Sequence, residues 1–310
     1  ITGSNGKTIV KEWLFQLLNP DFNIVRNPGS YNSQIGVPLS VWQLDTTHNL
    51  GIFEAGISEP KEMKKIAKVI HCNIGIFTNI GDAHREGFIT QKQKIKEKIK
   101  LFKYANTLIY GIDNPLVHKV IRSTTIKPTL FTWSAKKKAD LQIIMLKKEA
   151  NKTVLTALYK RQSFSFTIPF TDAAAIENAI HCCATMLLLG TSFENIQQRM
   201  LLLDPVSMRL ELKKGINNCT IINDSYNSDL TSLELALNFA TKRTSDKALI
   251  LFLSDILQSG LSAKVLYKKV AALILAKKVD HLYAIGKEVS LIKKYLKDCQ
   301  VTVVIYKPEE

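Results

Sequence analysis

The chain has 310 residues, 46% of them apolar, and carries 42 Lys+Arg against 27 Asp+Glu for a formal net charge of +15. That length leaves room for two domains and a sizeable core, and no apolar run approaches the roughly 20 residues needed to cross a bilayer, so membrane insertion is not expected. The five cysteines show no C-x-x-C spacing, which argues against structural zinc and for a reducing, cytoplasmic setting.

The first recognisable feature is Thr2-Gly3-Ser4-Asn5-Gly6-Lys7-Thr8, which runs directly into an amphipathic segment. Gly3 and Gly6 permit a tight turn whose N–H groups can face phosphate oxygens. Lys7 can reach the β- and γ-phosphates, and the Thr8 hydroxyl can hold Mg²⁺. Two residues fewer separate these glycines than in the common G-x-x-x-x-G-K-[ST] loop. The strand expected before such a loop is missing, so the sequence reads as part of a longer chain.

Helical spacing covers Ile9 to Leu18 and stops before Pro20. A short strand is predicted over Phe22 to Val25, a polar loop over Asn27 to Gln34 and a helix over Pro38 to Leu44. Leu50 to Glu54 is a buried strand ending in an acid, Pro60 to Val69 a helix and Cys72 to Thr78 another buried strand. One long basic helix is expected from Gln91 to Tyr104. Strand Thr107 to Tyr110, helix Pro115 to Arg122 and strand Thr129 to Thr132 continue the alternation, which argues a parallel sheet covered by helices. From Leu141 to Ile168 the period changes to two, predicting antiparallel strands at the sheet margin. Helices follow at Ala173 to Leu189 and Phe193 to Leu203, with Cys182 and Cys183 expected in the core.

Asp204-Pro205 marks a domain boundary. Beyond it a second α/β unit is predicted: strands Thr220 to Asn223, Ala248 to Ser254, His281 to Ile285 and Val301 to Ile305, with helices Ser232 to Thr241, Ala263 to Ala276 and Val289 to Leu296. The fold class is therefore α/β: a parallel-sheet domain with a phosphate loop (residues 1–204), followed by a smaller Rossmann-like domain (residues 205–310) that stops short.

Two further positions suggest chemistry. Glu54 ends its strand in Gly51-Ile52-Phe53-Glu54-Ala55-Gly56, where parallel sheets bind ligands, and an acid beside a phosphate loop can hold Mg²⁺. His84, in Thr78-Asn79-Ile80-Gly81-Asp82-Ala83-His84, follows the next buried strand and is a candidate second metal position. The lysines are scattered over helices (Lys92 to Lys103, Lys136 to Lys138, Lys264 to Lys278) with no aromatic-interleaved RNA-binding motif. They read as solvated faces that attract small anionic substrates, not nucleic acid.

T-G-S-N-G-K-T, E-A-G-I-S-E-P-K-E-M, T-N-I-G-D-A-H-R-E-G-F and N-D-S-Y-N-S, in that order, resemble the Mur ligase family of ATP-dependent amide ligases of peptidoglycan synthesis. The resemblance covers essentially the whole chain. Ile35-Gly36-Val37-Pro38, Asn79 to Phe88 and Asp224-Ser225-Tyr226-Asn227 look most like the branch that joins D-alanyl-D-alanine to UDP-N-acetylmuramoyl-tripeptide, so those two molecules are the implied partners. The wording is closest to members fused to an alanine racemase, a domain that would lie outside this chain.

The resemblance implies roles residue by residue. Gly3, Ser4, Asn5, Gly6, Lys7 and Thr8 would cradle ATP. Glu54 would hold a first Mg²⁺ and His84 a second. A lysine carbamylated by CO₂ is implied fourteen residues after that histidine, which lands on Lys98 in Lys98-Ile99-Lys100-Leu101-Phe102, although Lys96 and Lys100 lie beside it. Asn178 and Asn114 match adenosine contacts, Arg209 an arginine that reaches the γ-phosphate, and Asp224 the ribose-binding acid, with Tyr226 beside it. Asn32 is the implied active-site residue of its loop. The chain departs from the family at Asp172-Ala173-Ala174-Ala175-Ile176-Glu177-Asn178, where only Asn178 is retained. The family's N-terminal UDP-sugar-binding domain is absent, so ATP binding with little ligation is expected of residues 1–310 alone. Rival readings are a sister ligase acting on another amino acid or on folate, a nucleic-acid-dependent NTPase motivated by the net charge, and a nucleotide-binding scaffold without catalysis.

Overall fold

The computed structural model describes residues 1–81, 87–207, 210–225, 228–241, 247–257, 259–297 and 299–307. The chain divides into two compact units, one of Ile1–Gly81 with Gly87–Asp204, the other containing Pro205–Glu310.

In the first unit, α1 (Lys7–Leu18) buries Val10, Trp13, Leu14, Leu17 and Leu18 along one stripe. The strands β1 (Ile24–Arg26) and β2 (Leu50–Ile52) pair in parallel. β3 (Ile74–Phe77), β4 (Thr107–Gly111), β5 (Thr129–Ser134), β6 (Leu141–Lys148), β7 (Thr153–Tyr159) and β8 (Gln162–Ile168) form a six-stranded sheet in that order. The pairs from β3 to β6 are parallel, and β6–β7–β8 are antiparallel. Ile1 and Thr2 join the two sheets. The Ile1 amino group and carbonyl bond to Phe53 O and Ala55 N, and Thr2 bonds to Ile76 O and Thr78 N on its other side. The glycine-rich loop therefore leaves the sheet between β2 and β3, with the ends of both strands beside it.

Helices α2 (Gly36–Val41), α3 (Glu62–Ile70), α4 (Gln91–Ile99), α5 (Pro115–Arg122), α6 (Ala173–Leu188) and α7 (Phe193–Leu201) alternate with the strands. Thr90, Asn114, Asp172 and Ser192 cap α4, α5, α6 and α7 through their side-chain oxygens. Met63, Ile66, Phe77, Ile95, Phe102 and Tyr110 belong to one continuous core joining α3, α4 and the adjoining strands. Cys182 and Cys183 are fully buried.

The expected single helix from Gln91 to Tyr104 is not continuous. It ends at Ile99, and Lys100–Tyr104 tightens into a 3-10 turn with Phe102 out of helical geometry. The cause is packing: a Cβ on Gly75 of β3 would lie 2.3 Å from the Phe102 ring, so that ring reaches the sheet only where β3 has no side chain.

The second unit holds a parallel sheet of β11 (Ile250–Ser254), β12 (His281–Ile285) and β13 (Thr302–Tyr306), with α9 (Ala263–Ala276) between the first two strands. α8 (Leu230–Thr241) packs Leu233 and Leu237 into the same core. A short 3-10 turn, Val289–Ile292, leads into α10 (Lys293–Leu296) where one helix was expected. β10 (Thr220–Asn223) pairs antiparallel with a strand that the sequence reading lacked, β9 (Glu211–Lys214). The turn joining them places Asn217 and Asn218 at φ 52° and 59°. Positive φ at both central residues is the geometry that two-residue hairpin turns require, and asparagine tolerates it.

Candidate functional site

The glycine-rich loop is clamped by the residues just after β3. Ser4 N donates to Asn79 O (2.9 Å), Asn5 N to the Asn79 side-chain oxygen (3.0 Å), and the Thr78 hydroxyl to Asn5 O (2.7 Å). A Cβ at Gly3 would sit 1.9 Å from the Thr78 hydroxyl oxygen. One at Gly6, where φ is +80°, would sit 2.2 Å from Asn178 Oδ1. Two glycines are therefore required on steric grounds, and Asn178, 2% exposed on α6, packs directly over the loop. Lys7 Nζ folds back to Ser4 O at 2.8 Å.

Glu54 lies two residues past β2 and is 1% exposed. Its Oε2 accepts from the Thr8 hydroxyl (2.8 Å) and its Oε1 from Asn32 Nδ2 (2.6 Å). The loop lysine-threonine pair, the strand-end acid and the loop asparagine, far apart in sequence, thus meet at one point. Beneath them is a support that the sequence reading missed. Asn27 holds the Glu54 backbone on both sides, accepting from its N–H (2.9 Å) and donating to its carbonyl (2.8 Å). Lys11, fully buried in α1, donates to the carbonyls of Asn27 and Gly29 and pairs with Glu12. Lys11 carries a readable signal: a lysine on the same stripe as Leu14 and Leu18 has no solvent to reach and must find partners inside.

Lys98 is 1% exposed on α4. This corrects the picture of that helix as a solvated lysine face, since Lys94 is buried as well, donating to Gly81 O at 2.8 Å. No hydrogen bond or ion pair reaches the Lys98 amine among the described residues. Burial pushes its pKa well below the ordinary lysine range, and the neighbouring charges of Lys7 and Lys94 push the same way against Glu54. A lowered pKa favours the neutral amine, the form in which a lysine nitrogen is a nucleophile.

The remaining predicted positions are spread more widely. Asn114 caps α5, its side-chain oxygen accepting from Leu116 N and Val117 N. In the second unit Asp224 accepts from Leu210 N at 3.1 Å, tying the end of β10 to the start of β9. His84, Arg209 and Tyr226 lie outside the described residues. On α6, His181 accepts from Trp133 Nε1 at Nδ1 (3.1 Å), so its Nε2 carries the proton and donates to Thr78 O (3.0 Å). Burial lowers its pKa to about 4. One turn away, burial raises the Glu177 carboxyl to about 7, with Asp113 adding to the effect.

No three His, Cys, Asp or Glu side chains converge on a common point among the described residues. Thr8 and Glu54 nonetheless present only oxygen donors, the set that a hard cation such as Mg²⁺ prefers.

This geometry defines a mixed α/β protein, rich in parallel strands, with a glycine-rich loop backed by a buried carboxylate. A family model of the Mur ligase middle domain matches residues 1–186, and one of the Mur ligase glutamate ligase domain matches residues 208–309. The chain belongs to the Mur ligase family. It is 28% identical over 293 residues to the UDP-N-acetylmuramoyl-tripeptide–D-alanyl-D-alanine ligase of Bacillus subtilis, an alignment that covers 93% of this chain and 62% of that protein. The chain thus spans less than two thirds of that relative's length. Among solved structures it resembles MurF from Acinetobacter baumannii (TM-score 0.84, 19% identity, 98% of this chain and 66% of that one). It also resembles MurF ligase from Thermotoga maritima in complex with ADP (TM-score 0.79, 20% identity, 99% and 75%). At these identities the two structures establish the shared fold. No helix among the described residues is long and apolar enough to cross a membrane.

Proposed function

We propose that this chain is the ATP-binding part of a ligase that joins D-alanyl-D-alanine to UDP-N-acetylmuramoyl-tripeptide in peptidoglycan precursor synthesis. The observation that carries the proposal is the meeting of Thr8, Glu54 and Asn32 beneath a sterically constrained glycine loop, with a buried Lys98 on the neighbouring helix that has no partner among the described residues. The name of the Bacillus relative supports the choice of substrates.

In this reading the loop N–H groups and Lys7 hold the β- and γ-phosphates of ATP, and Asn178 packs against the nucleoside side of the loop. Asn114 and Asp224 remain the adenosine and ribose candidates, with Tyr226 beside Asp224, and Arg209 the γ-phosphate contact from a Rossmann-like second domain. Thr8 and Glu54 would hold Mg²⁺, with His84 and Lys98 serving a second ion, and the metal would supply neutralisation of phosphate charge. A neutral Lys98 amine adds to CO₂ and loses a proton, giving a carbamate whose oxygens can ligate a cation as an ammonium cannot. The γ-phosphoryl passes to the tripeptide carboxylate. The D-alanyl-D-alanine amine attacks the acyl phosphate, and phosphate leaves as the amide forms. The protein's contribution is positioning and charge stabilisation.

The test is phosphate release by the full-length protein with ATP, Mg²⁺ and UDP-N-acetylmuramoyl-tripeptide, with and without D-alanyl-D-alanine. Release that needs both substrates and disappears in Lys7→Ala is expected. Release stimulated by a different amino acid moves the reading to a sister ligase, and release stimulated only by nucleic acid overturns it.

A further inference from the structure

On the outer side of α4 lies a cavity of about 560 Å³ that the reading above does not use. Lys64 and Lys68 of α3 and Lys96, Lys100 and Lys103 of α4 and its 3-10 extension line it. At 100° per residue, Lys96 and Lys100 each stand about 200° around the helix from Lys98, so they face away from the buried amine and form a separate group. The floor is apolar, with Ala67, Ile99 and Val120 buried beneath it. Hydroxyls of Ser123, Thr124 and Thr125 close one wall.

Charge is unbalanced here. Glu97 pairs with Lys100, its other oxygen being taken by Lys61 N at 2.9 Å. Lys64, Lys68 and Lys96 have no carboxylate partner among the described residues. Lys64 with Lys68 and Lys96 with Lys100 are like charges at i, i+4, an arrangement that destabilises a helix unless an anion answers it. Lys103 is pre-positioned: its ammonium lies 5.0 Å above the Tyr104 ring, and that ring is stacked on His71 at 4.0 Å. Solvated lysine faces are ordinarily convex and lack an apolar floor. This one is concave, and its volume falls in the range of ligand sites, about 300–1,000 Å³.

We propose that this cavity is a second anion-binding site, taking a small molecule that carries one or more phosphates on an apolar body of nucleotide size. The lysines would meet the phosphate oxygens as mobile point charges, the hydroxyls of Thr124 and Thr125 would donate to them while that of Ser123 stays on Val120 O (3.0 Å), and the apolar body would cover the lysine stems, Tyr104 and Ile126. The proposal is independent of what the glycine loop binds.

Equilibrium dialysis with radiolabelled ADP, using UDP and inorganic pyrophosphate as competitors, tests it. Wild type should bind two ADP per chain, Lys7→Ala one, and the double variant Lys68→Gln/Lys103→Gln one. The affinity of the remaining step in Lys7→Ala should weaken at least about tenfold between 0.01 M and 0.15 M salt, as the screening length falls from about 30 Å to about 8 Å. UDP should displace that ADP better than pyrophosphate does if the apolar floor contributes. A second pair, Lys64→Gln/Lys96→Gln, is read in parallel, with circular dichroism on both, so one misfolded variant does not decide the matter. A single ADP per chain that is lost in Lys7→Ala and indifferent to both lysine pairs overturns the proposal. Two sites that both survive Lys7→Ala would sink the loop reading and leave this one standing.

Discussion

The two sides of α4 carry the same residue in opposite circumstances. Lys94 and Lys98 turn inward and are buried, whereas Lys96 and the extension's Lys103 are exposed on the other side. Composition treats these lysines as equals. Solvation does not: an exposed ammonium keeps its water and its charge, while a buried one without a carboxylate loses the water and its charged form becomes costly. Position on a helix, read at 100° per residue, therefore converts one residue type into two chemical species. Lys98 of the inner pair is a candidate nucleophile toward CO₂, and the outer group is a set of permanent charges. The same distinction separates Lys11, held by two carbonyls and Glu12, from the solvated lysines elsewhere.

The strongest way to break this contrast is Lys98→Met, which keeps the volume and removes the amine. Phosphate release dependent on both ligase substrates should fall by about 10²–10³-fold, the scale of losing one charge-stabilising group. Folding stability should stay level or rise, since an unpaired buried amine is gone. In ¹³CO₂-equilibrated protein, a carbamate carbon signal should be present in wild type and missing in Lys98→Met. Lys96→Met, on the outer side, should change neither activity nor that signal. A carbamate signal that survives Lys98→Met, or equal losses in the two variants, would show that burial had not set Lys98 apart.

Glu54→Gln comes next. The volume is kept, but one side-chain oxygen becomes an NH₂ that cannot accept from the Thr8 hydroxyl or Asn32 Nδ2. Mg²⁺-dependent ATP affinity should drop by about tenfold or more, as for a lost charge-assisted contact. Affinity measured in EDTA should barely move. Equal drops with and without Mg²⁺ would assign Glu54 to holding the loop rather than the ion. An effect on stability is expected of Gly6→Ala, which forces a side chain into φ +80° and to 2.2 Å from Asn178 Oδ1. The strain alone should cost about 1–3 kcal/mol in thermal or denaturant unfolding. Adding Asn178→Ala should recover the part due to the clash and none of the part due to φ, a split that a double-mutant cycle reads directly.

Much of the first unit was legible because its signals are local. Helix α5 matches its predicted limits, since Asn114-Pro115 is both cap and start. The change to period two at Leu141 announced the antiparallel margin. The meeting of Thr8 and Glu54 was suggested by a strand end next to a glycine loop, whereas Asn32 came only from the family resemblance. The break after Ile99 was not legible, because it depends on Gly75 of a different element making room for Phe102. Strand β9 was overlooked although Asn217-Asn218 was a hairpin signal: Glu211–Lys214 is too charged to read as a buried strand. Asn27 was missed because what it holds is the Glu54 backbone, and backbone partners leave no trace in sequence, whereas Lys11 was missed although its place on the apolar stripe of α1 was a readable signal.

A pH-dependent effect extends the contrast to α6, where burial acts on a base and an acid one turn apart. Burial brings the folded-state pKa of His181 down to about 4 from the ordinary imidazole value of 6.5. The unfolded chain therefore binds the extra proton as pH falls, and the stability His181 contributes above 6.5 is lost between 6.5 and 4. Glu177 runs the other way. Its pKa is raised from 4.5 to about 7, so its contribution is complete below 4.5 and is lost as pH rises through 7. At 1.36 kcal/mol per pH unit, each amounts to about 3 kcal/mol across its window. Between 4.5 and 6.5 the two slopes oppose, and wild-type stability should be nearly flat there as far as these two groups decide it. Glu177→Gln removes the acid and leaves the histidine, so the variant's stability should climb by about 3 kcal/mol from pH 4 to pH 6.5 relative to wild type. Denaturant unfolding at half-unit pH steps measures this. Parallel wild-type and Glu177→Gln profiles would mean that Glu177 is ionised in the folded protein at neutral pH, and that burial on α6 does not act on acid and base alike.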